Sequence, residues 1–226
     1  PAIQRLVAEA ARLAPTQISL LIRGETGTGK ERLTRAIHTA PGGSRPFVML
    51  FSALPAESWT ALAETATGGT LFLDAPEELS LDDQRRLLQV IVACDGLPTR
   101  RRPRLITASA VDLAALVRAG AFRADLFFRL AAVTLTLPPL RLRQDFEWLL
   151  DRILRQMGHL RPDTLRLSPA ARAELKARDW PGNLRELANT LEVAIALAEE
   201  DPPGVTVARR GIRSRRFLST NGSRIV

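Results

Sequence analysis

The chain has 226 residues, 46% of them hydrophobic and 25% charged, which fits a soluble globular protein with one large domain or a domain plus a small second one. No apolar run approaches the roughly 18 residues of a membrane span, and no basic segment followed by an apolar one resembles a secretory leader, so a cytoplasmic location is expected. One cysteine, Cys94, excludes an internal disulfide and a cysteine-cluster zinc site, and two distant histidines, His38 and His159, argue against a His-based one. The net charge of +8 is carried by arginine, since Lys30 and Lys176 are the only lysines. The planar guanidinium fork suits phosphate, although arginine used throughout a chain is first of all a feature of coding composition. A chain opening on Pro1 is expected to be a piece of a longer protein.

Residues 2–13 carry a helical period. Residues 18–22 form a short, nearly continuous apolar run, as expected of a strand buried on both faces. Further runs follow at 47–51, at 70–73 after Gly68-Gly69, at 105–108, and at 133–137 before Pro138-Pro139. Helical patterns fill the intervals at about 30–39, 56–65, 80–93 and, with a break, 112–130. This alternation predicts an α/β fold, a five-stranded parallel sheet with helices on its faces. After Pro139 the strands stop, and residues 145–157, 168–178 and 183–199 read as three helices, with Asp145 and Ser168 as expected N-caps. The expected divisions are a nucleotide-binding α/β domain over 1–140, a small helical domain over 141–200 and a basic tail over 201–226. In that tail Arg209, Arg210, Arg213, Arg215 and Arg216 crowd together, enough charge for weak, salt-sensitive contact with DNA phosphates.

Gly24-Glu25-Thr26-Gly27-Thr28-Gly29-Lys30 matches G-x-x-x-x-G-K between the first strand and a helix, the context of a phosphate-binding loop. The glycines let backbone N–H groups curl around phosphate oxygens, the helix N-terminus adds partial positive charge, and Lys30 can reach the β- and γ-phosphates of ATP. Glu31 stands where a Ser or Thr usually offers a hydroxyl to Mg²⁺. Asp74 ends the third strand. A carboxylate there caps a turn in other settings, but beside a phosphate loop it is expected to position Mg²⁺. Ala75 follows it, and Glu77 and Glu78, beyond Pro76, are expected to open the next segment.

These motifs resemble the central AAA+ ATPase domain of bacterial sigma-54-dependent activators. The resemblance rests on the loop through Glu31, on Ala36-Ile37-His38, on residues 68–74, on residues 120–130 (GAFRADLFFRL), on Leu137-Pro138-Pro139-Leu140-Arg141 and on residues 180–187 (WPGNLREL). In detail the chain is most similar to the acetoin-operon regulator branch. The resemblance implies an AAA+ P-loop NTPase fold followed by a helical lid, with ATP and Mg²⁺ as cofactors. It implies that Arg123 and Arg129 reach the nucleotide of the neighbouring subunit in a hexameric ring, and that Arg185 of the lid contacts phosphate in its own subunit. Trp180 is expected in the lid core.

The family's long insertion with the sequence GAFTGA, which touches the sigma factor, has no counterpart in the ten residues between Glu57 and Gly68. The interval from Val90 to Arg104 is also shorter than in the family. Ala75 replaces the glutamate that polarises water, the asparagine that partners it aligns with Leu50, and the polar sensor aligns near Ala110 beside Ser109. The expectation is a regulator domain that binds ATP, hydrolyses it poorly and does not touch sigma-54. The alternatives are a working ATPase that remodels the transcription complex with RNA polymerase holoenzyme, or a non-catalytic oligomerisation scaffold of a DNA-bound regulator. In each case DNA is expected to be bound by a domain not in this chain.

Overall fold

Strands Leu20–Arg23 (β1), Phe47–Phe51 (β2), Thr70–Asp74 (β3), Arg104–Ser109 (β4) and Val133–Thr136 (β5) form one parallel sheet of order β2-β3-β4-β1-β5 in the computed structural model, which describes residues 2–42, 44–51, 55, 58–157 and 167–196. The described residues fall into two units that part between Pro139 and Leu140.

In the first unit, side chains alternate across the sheet and both faces are apolar, so every central strand is buried on two sides. Leu20, Ile22, Phe72, Ile106, Ala108 and Leu135 pack with helices Ala2–Leu13 (α1) and Lys30–Thr39 (α2). Leu21, Leu50, Leu71, Leu73 and Leu105 pack on the other face with Trp59–Thr65 (α3), Leu81–Asp95 (α4), Leu113–Arg118 (α5) and Ala124–Leu130 (α6). Strand β1 begins later than its apolar run: pairing with β4 and β5 starts at Leu20, and Ile18 is 41% exposed. Gly69 is required by a close approach: a Cβ there would lie 2.0 Å from the carbonyl oxygen of Pro46, which accepts the Thr70 N–H and sets the β2–β3 register. The Gly68-Gly69 pair thus serves strand entry.

Two polar side chains lock this unit. Gln84, fully buried at the start of α4, donates to the carbonyls of Leu79 and Ala121 and accepts the N–H of Arg123, which fixes the start of α6. Arg104 is 5% exposed and donates to the carbonyls of Leu13, Ala14 and Ile18 at 3.0, 2.8 and 3.3 Å. It donates to carbonyls at the end of α1 and in the turn that leads to β1. Burial lowers its pKa to about 10, so the guanidinium stays charged at neutral pH. His38 is a further structural group, bonded through Nδ1 to Thr70 Oγ1 and edge-on to Phe47; burial lowers its pKa.

The second unit holds Phe146–Met157 (α7), Pro169–Lys176 (α8) and Asn183–Ala196 (α9) around Leu150, Leu175, Trp180, Leu187 and Leu191. Trp180 is in this core, as expected, with its indole N–H on the Leu175 carbonyl at 2.7 Å. Ser168 caps α8 by accepting the Ala171 N–H. Asp145 does not use its side chain as an N-cap: Arg143 takes the carboxylate through Nε and Nη2 at 2.9 and 2.7 Å and holds its pKa below the usual range. The Asp145 backbone carbonyl, which accepts the Leu149 N–H, starts α7 instead. No described helix is long and apolar enough to cross a membrane. The arginine-rich segment 209–216 lies outside the described residues.

Replacing Arg104 with Met removes a donor from the carbonyls of Leu13, Ala14 and Ile18, of which Leu13 keeps the Thr16 N–H and hydroxyl. Arg104→Met is expected to cost about 2–3 kcal/mol, read as a lower urea midpoint with the slope unchanged; a wild-type midpoint would contradict this role.

Candidate nucleotide-binding site

The carboxyl ends of β1, β3 and β4 are level. Arg23 pairs with Ser109 and Asp74 with Ala108, so the exits of three strands form one edge, with β4 between the other two. Ligands of open parallel sheets bind outside this edge. From Gly24 the chain leaves β1, held by its N–H on the Ser109 carbonyl at 3.1 Å. Gly27 and Gly29 take φ values of 79° and 98°, which side chains resist, and turn the loop back into the first turn of α2. Thr28, 3% exposed, braces the loop from inside by donating to the Glu25 carbonyl at 2.7 Å. Lys30 Nζ donates to the carbonyls of Gly24 and Glu25 at 2.8 and 3.3 Å, which holds the ammonium over the loop. Thr26 is at the exposed tip, and Glu31 pairs with Arg35 on the outer side of α2.

Asp74 shares the α1–α2 face of the sheet with Phe72, two strands and roughly 10 Å from β1. Its carboxyl pKa is raised, first by burial; Lys30 opposes the shift and Glu77 and Glu31 add to it. Two opposite charges, Lys30 and Asp74, therefore lie within electrostatic reach at the mouth of the loop.

The next residues add to the sequence reading. Ala75 adopts φ 51°, a left-handed kink that folds Pro76–Glu78 into a 3-10 turn. Glu77 lies in this turn, the element that follows β3, as expected. It bends back over the sheet edge, and its Oε1 accepts the Ala110 N–H at 2.9 Å. Leu50 lies fully buried on the α3–α4 face, opposite to Asp74, because it pairs with Leu73; the β2 residue that pairs with Asp74 is Phe51. Ser109 is buried, and its hydroxyl bonds the N–H and carbonyl of Val111.

Arg123 caps the entry to α6 and forms a bidentate pair with Asp125, at 3.0 and 2.6 Å, while Arg129 at the end of α6 pairs with Asp95. Hydrogen bonding from Arg123 is the main cause that lowers the Asp125 pKa. Arg185 is exposed in the first turn of α9, in the second unit. Sequence reasoning missed Gln84, whose only signal was a polar residue on the buried face of α4, and the place of Glu77, hidden by the kink at Ala75. A cleft of about 440 Å³ between α3 and α4, lined by Ala63, Val90 and Cys94 among others, shares no residue with the loop.

The comparisons with known proteins agree with this architecture. Residues 1–140 match the model of the sigma-54 interaction domain, and residues 141–213 that of the AAA+ ATPase lid domain. The chain belongs to the sigma-54 interaction domain family. It is 42% identical over 229 residues to the acetoin catabolism regulatory protein of Cupriavidus necator, covering 88% of this chain and 34% of that protein. It is 39% identical over 233 residues to the anaerobic nitric oxide reductase transcription regulator NorR of Salmonella paratyphi C, covering 90% and 46%. Among solved structures, NtrX from Brucella abortus in complex with ATP is similar with a TM-score of 0.80 and 31% identity, over 93% of this chain and 54% of that one. The same protein in complex with ADP gives 0.82 and 29%, over 96% and 55%. The chain thus spans about a third to a half of the relatives it matches.

Burial of an ionised Asp74 opposes folding at neutral pH. Because the folded pKa is raised above 3.8, stability is gained as pH falls through the raised value and levels off below the unfolded one. Asp74→Asn is therefore expected to raise the thermal midpoint at pH 7, with the gain fading as pH falls to about 4. A midpoint at pH 7 equal to or below wild type would contradict this.

Proposed function

We propose that this domain is the ATP-binding AAA+ module of a transcriptional regulator of the sigma-54 activator family, with slow turnover. The observation that carries the reading is the loop: positive-φ glycines, an internal Thr28 brace, and Lys30 held over the loop at the carboxyl edge of a parallel sheet. The carbonyls that hold Lys30 are neutral acceptors, which charged phosphate oxygens outcompete. Gly24 through Lys30 would line the phosphates, with Glu31 in the following helical turn. Asp74 is the carboxylate at hand for Mg²⁺, and the ion, when bound with ATP, would neutralise charge on the β- and γ-phosphates. The raised pKa of Asp74 fits this role, since a cation relieves a desolvated carboxylate.

Ala75 offers no carboxylate for the attacking water, which supports slow hydrolysis. Arg123 and Arg129, at the two ends of α6, are proposed to act on the nucleotide of a neighbouring subunit in a hexameric ring, and Arg185 on phosphate within its own subunit. Both α6 arginines exchange an intrachain carboxylate for phosphate in this reading. The path from α3 into β3 is short, residues 66–69, which supports the reading that this chain carries no sigma-54-contacting loop there. RNA polymerase and DNA, as partners of the whole regulator, are proposed on the relatives' descriptions as transcriptional regulators.

Lys30→Ala tests the reading. Titration with a fluorescent ATP analogue is expected to show at least a ten-fold loss of affinity, as a charge-assisted phosphate contact of about 1.5–3 kcal/mol disappears. Equal affinity in wild type and variant would refute it.

A further inference from the structure

Resting on the nucleotide binding proposed above, we infer that Glu77 is the carboxylate that orients and deprotonates the attacking water, in place of the one Ala75 lacks. Three observations carry this. The left-handed kink at Ala75 swings the Pro76–Glu78 turn back over the strand ends, so a residue three positions beyond Asp74 returns to the site edge. Its Oε1 is anchored by the Ala110 N–H at 2.9 Å. The other face of that same peptide group, the Ser109 carbonyl, accepts the N–H of Gly24, the first residue of the phosphate loop. A single peptide plane therefore ties Glu77 to the loop, and a change in one is felt by the other.

The second carboxylate oxygen decides what Glu77 is for. Oε2 is buried and has no hydrogen-bond partner among the described residues, in a half-buried side chain close enough to Asp74 to raise its pKa. Anchoring Ala110 requires one neutral acceptor, which a glutamine would provide without placing a second negative charge beside Asp74. Folding alone gives no reason for the charge or for the orphaned oxygen. A buried acceptor without a protein donor is a place for water, and a carboxylate next to a phosphate loop is the group that takes a proton from it.

In the step, the water oxygen bonds to the γ-phosphorus. The bond from that phosphorus to the oxygen bridging it to the β-phosphate breaks, and its electron pair leaves with ADP. The water proton passes to Glu77 and from there to the released inorganic phosphate. Glu77 arrives on a short turn, closed by the Glu78 N–H on the Ala75 carbonyl and the Leu79 N–H on the Pro76 carbonyl, and its carboxylate has a single protein anchor, in keeping with the slow turnover proposed above.

Wild type, Glu77→Gln and the double variant Ala75→Glu/Glu77→Gln, each in the 226-residue chain, test this. Glutamine keeps the acceptor for Ala110 and removes the charge, so the fold is retained. Glu77→Gln is expected to hold its affinity for a fluorescent ATP analogue within about three-fold, while phosphate release falls at least ten-fold. Adding Ala75→Glu restores turnover to the wild-type rate or above, which a purely structural role of Glu77 would not allow. If Glu77→Gln binds the analogue and turns over at the wild-type rate, the assignment of Glu77 is wrong and the binding site stands. If wild type does not bind the analogue, the binding reading fails and this inference with it.

Discussion

Lys30 and Asp74 are two opposite charges kept at one partly desolvated edge of the sheet, and much of the first unit is arranged around that constraint. Neither charge is cheap to bury. Each is tolerated because the other is within reach and because backbone groups face it: loop carbonyls for Lys30, the Ala75 N–H for Asp74. The loop cannot relax away, since Gly24 is pinned to β4 and Thr28 ties the loop's interior to Glu25. A triphosphate with its cation would complete this charge arrangement, an anion over Lys30 and a cation beside Asp74. A ligand that engages both charges in the folded protein and not in the unfolded chain would stabilise the fold by mass action.

The same edge shows how a backbone feature can redirect chemistry. At the end of β3 the left-handed Ala75 replaces a side chain that could have faced the nucleotide. A residue without a long side chain is better suited to such a kink than a bulky or β-branched one. The kink then returns Glu77 to the place that a straight exit would have left open. On the far side, Gln84 sets where α6 begins and thereby where Arg123 emerges. The pairs Arg123–Asp125 and Arg129–Asp95 are exposed, so they cost little to break when a better anion is offered.

Much of this was legible in the sequence, for identifiable reasons. Parallel strands buried on both faces leave continuous apolar runs, and all five runs are strands. A loop that must wrap phosphate leaves glycines at fixed spacing. Register could not be read locally. Leu50 was aligned with the asparagine that partners the glutamate replaced by Ala75, and only the pairing shows that it stands opposite Leu73, with Phe51 opposite Asp74. Asp145 read as a cap because acidic residues before helices usually are, and an arginine two residues away claims it instead. The roles of Arg104 and Gln84, and the return of Glu77 to Ala110, were silent because their partners are backbone groups up to about ninety positions away, and such contacts leave no local pattern.

The central claim is that residues 24–30 close around phosphate. Amide hydrogen exchange, followed by mass spectrometry with and without ATP and Mg²⁺, reads this directly. If the account holds, added nucleotide slows exchange in the peptide spanning residues 24–31, as loop N–H groups acquire phosphate acceptors, while the β2 peptide is unaffected. Unchanged exchange across 24–31 at saturating ATP would contradict it.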